Sequence, residues 1–379
     1  MELYIHIPFC KQKCRYCDFA SWPGLEGDWA AYAEDVVTEA EARGAELGQQ
    51  EAETVYIGGG TPSLLPFSLM KQLLAGVFRI FPPSAGAEFT CEANPGTLTA
   101  GWLEGMVSLG LNRLSLGMQA AQDSLLEMLG RIHRFPDVQA GVAMARAAGI
   151  RNINLDLMFG LPGQTRSMWL DTLHAALSLE PEHLSCYGLI PEPGTPMEAA
   201  LRRGELSLPE EEEERLMYDD ALSLLRQHGF EQYEISNFAR PGYACLHNIG
   251  YWRRVPYLGL GVAAAGMRRL PGDRVLRENN PATLPAYRKM LRGELPREQE
   301  IVSPRDSRFE TMMLGLRMNE GVEEAAFLAE HGVTLDAAYG PALRRLKSEG
   351  FMDCRAGRWF LTRRGMDIQN TVLVDLMED

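Results

Sequence analysis

A chain of 379 residues, 46% of them hydrophobic, has room for one large domain with a proper core and a smaller second domain. Its net charge of -14 argues against general binding to nucleic acid or to an anionic membrane, and no apolar run is long enough to form a transmembrane segment. Seven cysteines without a preceding secretory segment argue against a disulfide framework, so we expect a reducing, cytoplasmic location.

The first predicted strand covers residues 3–7, and a loop with three cysteines, Cys10, Cys14 and Cys17, follows it directly. The C-x3-C-x2-C spacing places three thiolates in one loop, and three thiolates can hold three irons of a four-iron, four-sulfur (4Fe-4S) cluster. The fourth iron then has no protein ligand and can bind a small molecule. Such an open iron is where S-adenosylmethionine (SAM) chelates and is reductively cleaved, so the spacing predicts a radical SAM protein.

A zinc site is the alternative interpretation of this loop. His6 could supply a fourth ligand beside the three thiolates. Pro8 fixes the backbone between this histidine and the first cysteine, which favours the cluster. Aromatic residues flank the loop, and we expect Phe9, Tyr16 and Phe19 to shield the cluster and to tune its reduction potential.

Short β-rich runs alternate with amphipathic helices through the first two-thirds of the chain. Strands are predicted at residues 3–7, 54–57, 88–92, 113–118, 152–158 and 183–187. Helices are predicted at residues 29–40, where Asp28 can cap the first turn, and at 67–78, 100–109, 136–148 and 166–179. Six strand–helix units in succession imply a parallel sheet.

Side-chain parity within these strands separates a barrel from a doubly wound sheet, whose central strands are apolar on both faces. Here Glu88 and Glu92 share one face of the third strand, and Asn154 and Asp156 share one face of the fifth. Helices cover the outside of a parallel barrel, so the polar face must be the inside, which indicates a wet, ligand-filled lumen. We therefore predict an α/β fold with an open six-stranded parallel (β/α)6 barrel and a site at the carboxyl ends of its strands.

Two motifs follow the second and third strands. Gly-Gly-Gly-Thr-Pro at residues 58–62 allows positive φ angles and is expected to leave backbone N–H groups uncovered for the carboxylate or amino group of a ligand. A simple tight turn is the alternative. Glu92, which begins Glu-Ala-Asn-Pro, could bind the amino group or the ribose hydroxyls of a nucleoside, and a capped turn before a helix is the alternative there.

Further polar residues end the fourth and fifth strands. Gln119 ends the fourth strand, and Arg131 follows in Gly-Arg-Ile-His. Asp156 lies on the inner face of the fifth strand, just before Phe-Gly-Leu-Pro-Gly-Gln-Thr. Because a buried carboxylate needs a partner, we interpret Asp156 as an acceptor for a ribose or an ammonium group rather than as half of a structural ion pair.

An aromatic motif, His-Asn-Ile-Gly-Tyr-Trp at residues 247–252, stands in the last third, and two arginines follow it. His247 could ligate iron, the aromatic rings could stack on a flat acidic ligand, and the arginines could pair with its propionates. Composition alone favours the alternative, a hydrogen-bonded histidine in an aromatic core patch. The acidic run at residues 210–214 is interpreted as the solvated start of a helix.

The chain from residue 305 onward is predicted to form a small, mainly α, winged-helix-like C-terminal domain. Helices at about residues 305–318, 322–331 and 335–348 precede a hairpin of residues 351–354 and 359–361, and a further helix closes the chain. Winged-helix modules often bind DNA, but this segment holds ten Lys and Arg against thirteen Asp and Glu. Protein docking or ligand covering is therefore favoured over contact with nucleic acid.

The whole chain resembles the HemN-like family of radical SAM proteins, which contains oxygen-independent coproporphyrinogen III dehydrogenase and its heme-chaperone relatives. The matching motifs, in order, are Tyr-Ile-His-Ile-Pro-Phe-Cys, Gly-Gly-Gly-Thr-Pro, Glu-Ala-Asn-Pro, Gly-Met-Gln, Gly-Arg-Ile-His and Asp-Leu-Met-Phe-Gly-Leu-Pro-Gly-Gln-Thr. The resemblance implies a radical SAM partial barrel at residues 1–205, a barrel extension at 206–304 and a HemN-type C-terminal domain at 305–379.

The resemblance also implies the ligands of each cofactor. Cys10, Cys14 and Cys17 would hold the 4Fe-4S cluster. The residues that would line the SAM site are Tyr4, Tyr16, Phe19, Gly59, Gly60, Thr61, Glu92, Gln119, Arg131 and Asp156. The motif His-Asn-x-x-Tyr-Trp looks like that of the heme chaperones and reverses the compositional interpretation of His247. By this resemblance the heme residues are His247, which would bind the iron, Tyr251 and Trp252.

Two further departures separate the chain from the dehydrogenase that it resembles. Only nine residues precede Cys10, whereas the dehydrogenase has a long segment there that closes over substrate. Phe19 stands where the dehydrogenase has a further cysteine. Together with the aromatic motif, these differences imply a heme chaperone without coproporphyrinogen oxidase activity.

A heme chaperone would bind one heme and pass it to an apo-protein of the respiratory chain. The first alternative is an enzyme that uses a 5′-deoxyadenosyl radical to convert coproporphyrinogen III to protoporphyrinogen IX. A second alternative is another radical reaction on a tetrapyrrole or a nucleoside. The sequence leaves open the recipient of the heme, whether the heme is bound covalently, whether SAM is cleaved, and whether the chain forms a homodimer.

Overall fold

Six parallel strands form the centre of the protein, in a computed structural model that describes residues 1–377. The last two positions of the predicted C-terminal domain, 378 and 379, lie outside the described residues. The strands pair in sequence order and do not close into a full barrel. They are β1 (Glu2–Ile7), β2 (Ala52–Gly59), β3 (Pro83–Ala93), β4 (Arg113–Gln119), β5 (Asn152–Phe159) and β6 (His183–Gly188). The predicted open (β/α)6 architecture is confirmed.

The helices between these strands are α1 (Trp29–Leu47), α2 (Phe67–Phe78), α3 (Ala100–Ser108), α4 (Asp123–Leu129), α5 (Phe135–Ala147) and α6 (Arg166–Leu177). Short 3-10 turns lie at Glu26–Asp28, Pro62–Leu64 and Pro95–Thr97. Two expectations fail. α4 was not predicted, and Asp28 does not cap α1, because its side chain makes no capping hydrogen bond and pairs with Arg288 instead.

The sheet continues beyond the barrel on both sides. A barrel extension at residues 206–304 was expected, but the pairing of its strands with the barrel was not. The strand β9 (Tyr257–Leu260) pairs in parallel with β1, and an antiparallel meander follows it, so that the sheet has twelve strands within residues 1–377. The elements of this region are α7 (Pro196–Arg202), α8 (Glu211–Gln227), β7 (Glu231–Gln232), β8 (Asn237–Ala239), α9 (Leu246–Trp252), β9 (Tyr257–Leu260), β10 (Ala265–Leu270), β11 (Arg274–Asn279), α10 (Leu284–Leu291) and β12 (Glu298–Val302).

The C-terminal region has its own apolar core and a separate three-stranded sheet. Its elements are α11 (Pro304–Gly315), β13 (Val322–Glu323), α12 (Glu324–His331), α13 (Leu335–Ser348), β14 (Met352–Arg355), β15 (Arg358–Leu361), α14 (Arg363–Asp367) and α15 (Gln369–Met377). The predicted order of three helices, a hairpin and a closing helix is confirmed, although the last helix is broken in two. Within residues 1–377, no helix combines the length and apolarity that a membrane span requires.

The inner face of the barrel is polar, as the parity of the strands predicted. Thr90, Arg113 and Asn154 are buried there, whereas alternate residues such as Leu114 and Leu155 join the apolar core under the helices. The register of the parallel strands aligns inward-facing residues in layers. Thr90 pairs with Arg113 in one layer, and Glu2 pairs with Thr54, which in turn pairs with Glu88, in another.

One buried carboxylate joins α1 to the barrel extension. Glu39 is 1% exposed and accepts hydrogen bonds from the backbone N–H of Gly261 (2.8 Å), the Asn280 amide (2.8 Å) and the Tyr287 hydroxyl (2.7 Å). The Arg297 guanidinium lies 2.7 Å from its Oε1 and supplies the compensating charge. Glu39 therefore fixes the extension, and with it one wall of the site described below, against the outside of the barrel.

We expect Glu39→Ala to lower the free energy of unfolding by about 3 kcal/mol, because it leaves Arg297 and three donors without their acceptor in a buried position. Urea denaturation measures the change. Glu41→Ala is the matched control on the same helix, since its partner Arg79 is exposed, and it should change stability by less than about 0.5 kcal/mol. Equal effects of the two substitutions would contradict this role.

Candidate functional site

The cysteine loop is anchored at the carboxyl end of β1 by backbone hydrogen bonds. The N–H of Cys10 donates to the carbonyl of Trp22 (3.1 Å), and the N–H of Arg15 donates to that of Leu129 (2.9 Å). The carbonyl of Arg15 in turn accepts from the N–H of Met197 (2.8 Å). Cys10, Cys14 and Cys17 carry free, partly exposed thiols, so the loop presents three sulfur donors on a fixed backbone.

The surroundings of the sulfur atoms suit thiolates that hold a cluster. The Arg131 guanidinium lies 3.4 Å from Sγ of Cys14, and its other nitrogen donates to the carbonyl of Gly117 (2.8 Å). The Thr61 hydroxyl lies 3.8 Å from Sγ of Cys10. Hydrogen bonds and positive charge near coordinating sulfur raise the reduction potential of an iron–sulfur cluster. The residues present therefore fit a cluster held by three thiolates.

The zinc alternative does not fit this geometry. Both ring nitrogens of His6 are engaged, since Nδ1 is 2.9 Å from the Tyr4 hydroxyl and Nε2 is 2.9 Å from the carbonyl of Ala20. In the described part of the chain, no three His, Cys, Asp or Glu side chains are grouped to hold a single metal ion. His6 is therefore already hydrogen-bonded in the position from which it would have to supply the fourth ligand of a zinc ion.

The aromatic residues near the loop divide between core and surface. Phe9 is buried edge-on against Tyr32 in the main core, and shielding of the cluster by its ring stays a prediction. Tyr16 lies close enough to Cys14, Arg131 and Asp156 to interact with their charges. Phe19 is 58% exposed and lines the cavity described below.

The glycine loop packs directly against the strand that carries the cysteines. A Cβ on Gly59, whose φ is 106°, would lie 2.4 Å from the His6 ring, and one on Gly60 would lie 2.7 Å from the carbonyl oxygen of Phe9. The expectation of uncovered N–H groups is wrong: Gly60 donates to Ile7, Thr61 donates to Phe9, and Gly59 donates to Glu92 (3.1 Å). Close approach, rather than free donors, explains the glycines.

Glu92 lies on the inner face of β3 and is held from two sides. The hydroxyl of Tyr56 donates to its Oε1 (2.8 Å), and the N–H of Gly59 donates to its Oε2 (3.1 Å). Burial, and then the charge of nearby Asp156, raises the pKa of Glu92 to about 7 despite these donors. A cationic ligand would stabilise the ionised form of such a carboxyl group, because the ligand replaces the solvation that burial removes.

Asp156 occupies the equivalent level on β5. The Asn154 amide donates to its Oδ1 (2.7 Å) and the Ser115 hydroxyl donates to its Oδ2 (3.0 Å). Burial raises the pKa of Asp156, and these hydrogen bonds oppose the rise. Asp156 makes no salt bridge within residues 1–377. Gln119, buried with a positive φ of 63°, ends the neighbouring strand.

A cavity of about 600 Å³ opens beside these residues. Tyr4, Gly59 and Glu92 form its barrel side, and Tyr251 and Trp252 of α9 form another wall. His6, Phe19 and Ala20 line it near the cysteine loop.

The lining residues that were not expected from the sequence come from the barrel extension and the C-terminal domain, and they include Tyr257, Met267, Arg277 and Glu310. No local signal marks these residues, because only the pairing of β9–β12 with β1 brings them to the site.

His247 does not line the cavity. It is 1% exposed; its Nδ1 lies 2.7 Å from the Thr54 hydroxyl and its Nε2 lies 3.0 Å from the Tyr251 hydroxyl. Its ring also stacks on Tyr56 at 5.0 Å. This arrangement has the features of the compositional alternative, a hydrogen-bonded histidine in an aromatic core patch, and places His247 away from the cavity. Binding of iron by His247 stays a prediction.

The two arginines after the aromatic motif contact the C-terminal domain. Arg253 is exposed and pairs with Glu320 (2.7 Å), and Arg254 is buried and pairs with Glu330 (2.7 Å). Both pair with carboxylates of that domain, and Arg254 also lines the cavity, so their pairing with propionates stays a prediction. Arg277, whose guanidinium lies 2.6 Å from Glu310, is a half-exposed cation at the same cavity.

The open parallel barrel and its three-cysteine loop define a radical SAM protein. The model of the Radical SAM superfamily matches residues 4–176, and that of the HemN C-terminal domain matches residues 302–368. The heme chaperone HemW of Bacillus subtilis is 38% identical over 97% of this chain and 97% of its own length. HemW of Escherichia coli is 36% identical over 98% of this chain and 97% of its own length. The chain belongs to the HemW heme chaperone family.

The chain is also similar to a mitochondrial protein and to a solved structure. A mitochondrial protein of Bos taurus, radical S-adenosyl methionine domain-containing protein 1, is 33% identical over 99% of this chain and 87% of its own length. The structure of coproporphyrinogen III oxidase (HemN) from Escherichia coli superimposes with a TM-score of 0.85 over 99% of this chain and 89% of that chain. At 22% identity, the latter shows a shared fold.

The raised pKa of Glu92 predicts a pH dependence of stability. The folded state holds a proton up to about pH 7, whereas the unfolded carboxyl loses it near 4.5, so stability falls as pH rises through this window. Relative to Glu92→Gln, the SAM-free wild type should lose on the order of 2 kcal/mol between about pH 4.5 and about pH 7.5.

Urea unfolding at both ends of the window measures this difference. Glu104→Gln on α3, at an exposed position, serves as the control and should follow the wild type. A Glu92→Gln variant with the same pH dependence as the wild type would show that the pKa of Glu92 is the same in the folded and unfolded states.

Proposed function

We propose that this chain is a heme chaperone, which binds one heme and transfers it to an apo-protein. The observation that carries the proposal is the aromatic cavity of about 600 Å³ between the barrel and the C-terminal domain. Burial of a flat apolar ring system against aromatic side chains is a strong source of affinity, and one charged group at the rim suffices to orient it. The Bacillus subtilis and Escherichia coli relatives are heme chaperones, which supports this choice of ligand.

We further propose that Cys10, Cys14 and Cys17 hold a 4Fe-4S cluster and that SAM binds beside it. Membership of the radical SAM family implies both cofactors. Glu92 and Asp156, two carboxyl groups with raised pKa values, suit the amino group and the ribose hydroxyls of SAM. The remaining proposed SAM residues are Tyr4, Tyr16, Phe19, Gly59, Gly60, Thr61, Gln119 and Arg131. When bound, the cluster would supply an electron to SAM.

Heme would lie against Tyr251, Trp252 and Tyr257, with Met267 on the cavity wall. Arg277 is the proposed partner of a propionate. It already holds the carboxylate of Glu310 across the cavity, so a propionate would compete for a cation that is half-exposed and accessible. Because Glu310 belongs to α11, this competition would couple heme binding to the contact between the C-terminal domain and the barrel extension.

A radical enzyme acting on a porphyrinogen is the second candidate. One observation favours it: the cavity shares Tyr4, Gly59 and Glu92 with the proposed SAM site, so a ligand in the cavity would lie close to SAM. A cytoplasmic location, the absence of nucleic-acid partners and a homodimer remain predictions for either candidate.

The heme proposal predicts stoichiometric binding of ferric heme by the full chain and transfer of that heme to an apo-heme protein, followed by absorbance. Arg277→Gln should weaken heme binding about tenfold, because it removes a charge-assisted hydrogen bond. Arg274→Gln is the matched control, since Arg274 is exposed on the same strand and contacts the carbonyl of Pro271.

Turnover of coproporphyrinogen III by protein reconstituted with iron, sulfide and SAM, without tight binding of heme, would favour the enzyme instead. Unchanged heme affinity in Arg277→Gln would remove this arginine from the proposal and leave the aromatic cavity as its basis.

A further inference from the structure

Tyr251 lines the cavity, and His247 lies behind it in the core. They lie one helical turn apart on α9, and the Tyr251 hydroxyl is 3.0 Å from Nε2 of His247. Tyr251 is partly exposed and lines the cavity, whereas His247 is buried and does not. A ligand in the cavity therefore meets the tyrosine first, with the imidazole behind it.

α9 holds His247 in this second position. The Glu88 carboxylate accepts the N–H groups of Leu246 (3.0 Å) and His247 (3.1 Å) at the start of the helix. Gly250 lies so close to the Glu2 carboxylate that a Cβ there would overlap it. With Tyr56 stacked on its ring, His247 cannot turn toward the cavity unless the helix moves.

A second phenol–imidazole pair in the same cavity differs in its proton arrangement. Nε2 of His6 faces the carbonyl of Ala20, which can only accept, so the single proton of the neutral ring is on Nε2. Nδ1 of His6 must then accept from the Tyr4 hydroxyl, which keeps the Tyr4 phenol protonated.

His247 allows the opposite arrangement. Its Nδ1 faces the Thr54 hydroxyl, which can donate. Nε2 can then carry the ring proton and donate it in a hydrogen bond to an anionic oxygen on Tyr251.

We propose that the phenolate oxygen of Tyr251 is the ligand that this chain offers to the iron of ferric heme, and that His247 is a positioning residue that donates its Nε2–H to that oxygen. This inference rests on the proposed heme function. On ligation the O–H bond of Tyr251 breaks, its proton leaves to water, and an oxygen–iron bond forms without electron transfer. Tyrosine is an established type of heme ligand.

The anionic oxygen gives the ligand a preference for the ferric state. A hard anion binds Fe³⁺ more strongly than Fe²⁺, so reduction of the heme would weaken its attachment to Tyr251. The chain would thus retain ferric heme and release ferrous heme more readily.

Titration of the full-length protein with ferric heme, followed by absorbance and resonance Raman spectroscopy, tests the assignment. The wild type should show the vibrations of an iron-bound phenolate. Tyr251→Phe should lose them and bind ferric heme at least about tenfold more weakly. Tyr257→Phe is the matched control, since its ring lies 4.7 Å from that of Tyr251 in the same cavity, and it should keep the phenolate signature.

His247→Gln separates positioning from ligation. It should keep the iron–phenolate vibrations at a shifted frequency, because the amide replaces one hydrogen bond. A signature of imidazole ligation that disappears in His247→Gln, or phenolate vibrations that persist in Tyr251→Phe, would overturn the assignment. If the wild type binds heme without phenolate vibrations, only this inference fails; if it binds no heme, the proposed function fails as well.

Discussion

The parallel register of β1–β6 is the constraint on which the site depends. It brings the carboxyl ends of all six strands to one edge, so that the cysteine loop, the glycine loop, Glu92 and Asp156 meet although they are far apart in the sequence. The same register turns alternate polar residues inward. Their burial is tolerated because neighbours such as Asn154 and Ser115 donate hydrogen bonds. Burial also raises the pKa values of the carboxyl groups that remain open to a ligand.

The extension of the sheet beyond β1 converts this edge into a cavity. β9 continues the parallel order, and the antiparallel strands after it carry Met267 and Arg277 to the side of the barrel. α9 closes another wall, with Glu88 at its first turn and His247 seated among barrel residues. The cavity therefore shares residues with the proposed SAM site, which is the structural basis for linking heme binding to the cluster.

The sequence predicted the barrel and part of the lining of the cavity. Strand parity identified the polar interior, and the cysteine spacing identified the loop, because both depend on neighbours along the chain. Arg277 and Glu310 carry no such signal, since their positions depend on long-range strand pairing and on docking of the C-terminal domain. The sequence indicated the glycine loop for the wrong reason, because its N–H groups donate hydrogen bonds within the protein and are not free for a ligand. The motif indicated a role in heme binding for His247, whereas composition indicated that His247 is a hydrogen-bonded residue in an aromatic core patch.

The proposed chemistry of the site depends on one open iron, which the three-cysteine loop would leave for SAM. Electron paramagnetic resonance of the reduced protein, prepared without oxygen, tests it directly together with analysis of iron and sulfide. We predict about four irons and four sulfides per chain and a spectrum that changes when SAM is added, because SAM alters the coordination of one iron. If the loop holds zinc or no metal after reconstitution, or if the spectrum of the cluster is unchanged when SAM is added, the loop does not provide an open iron for SAM.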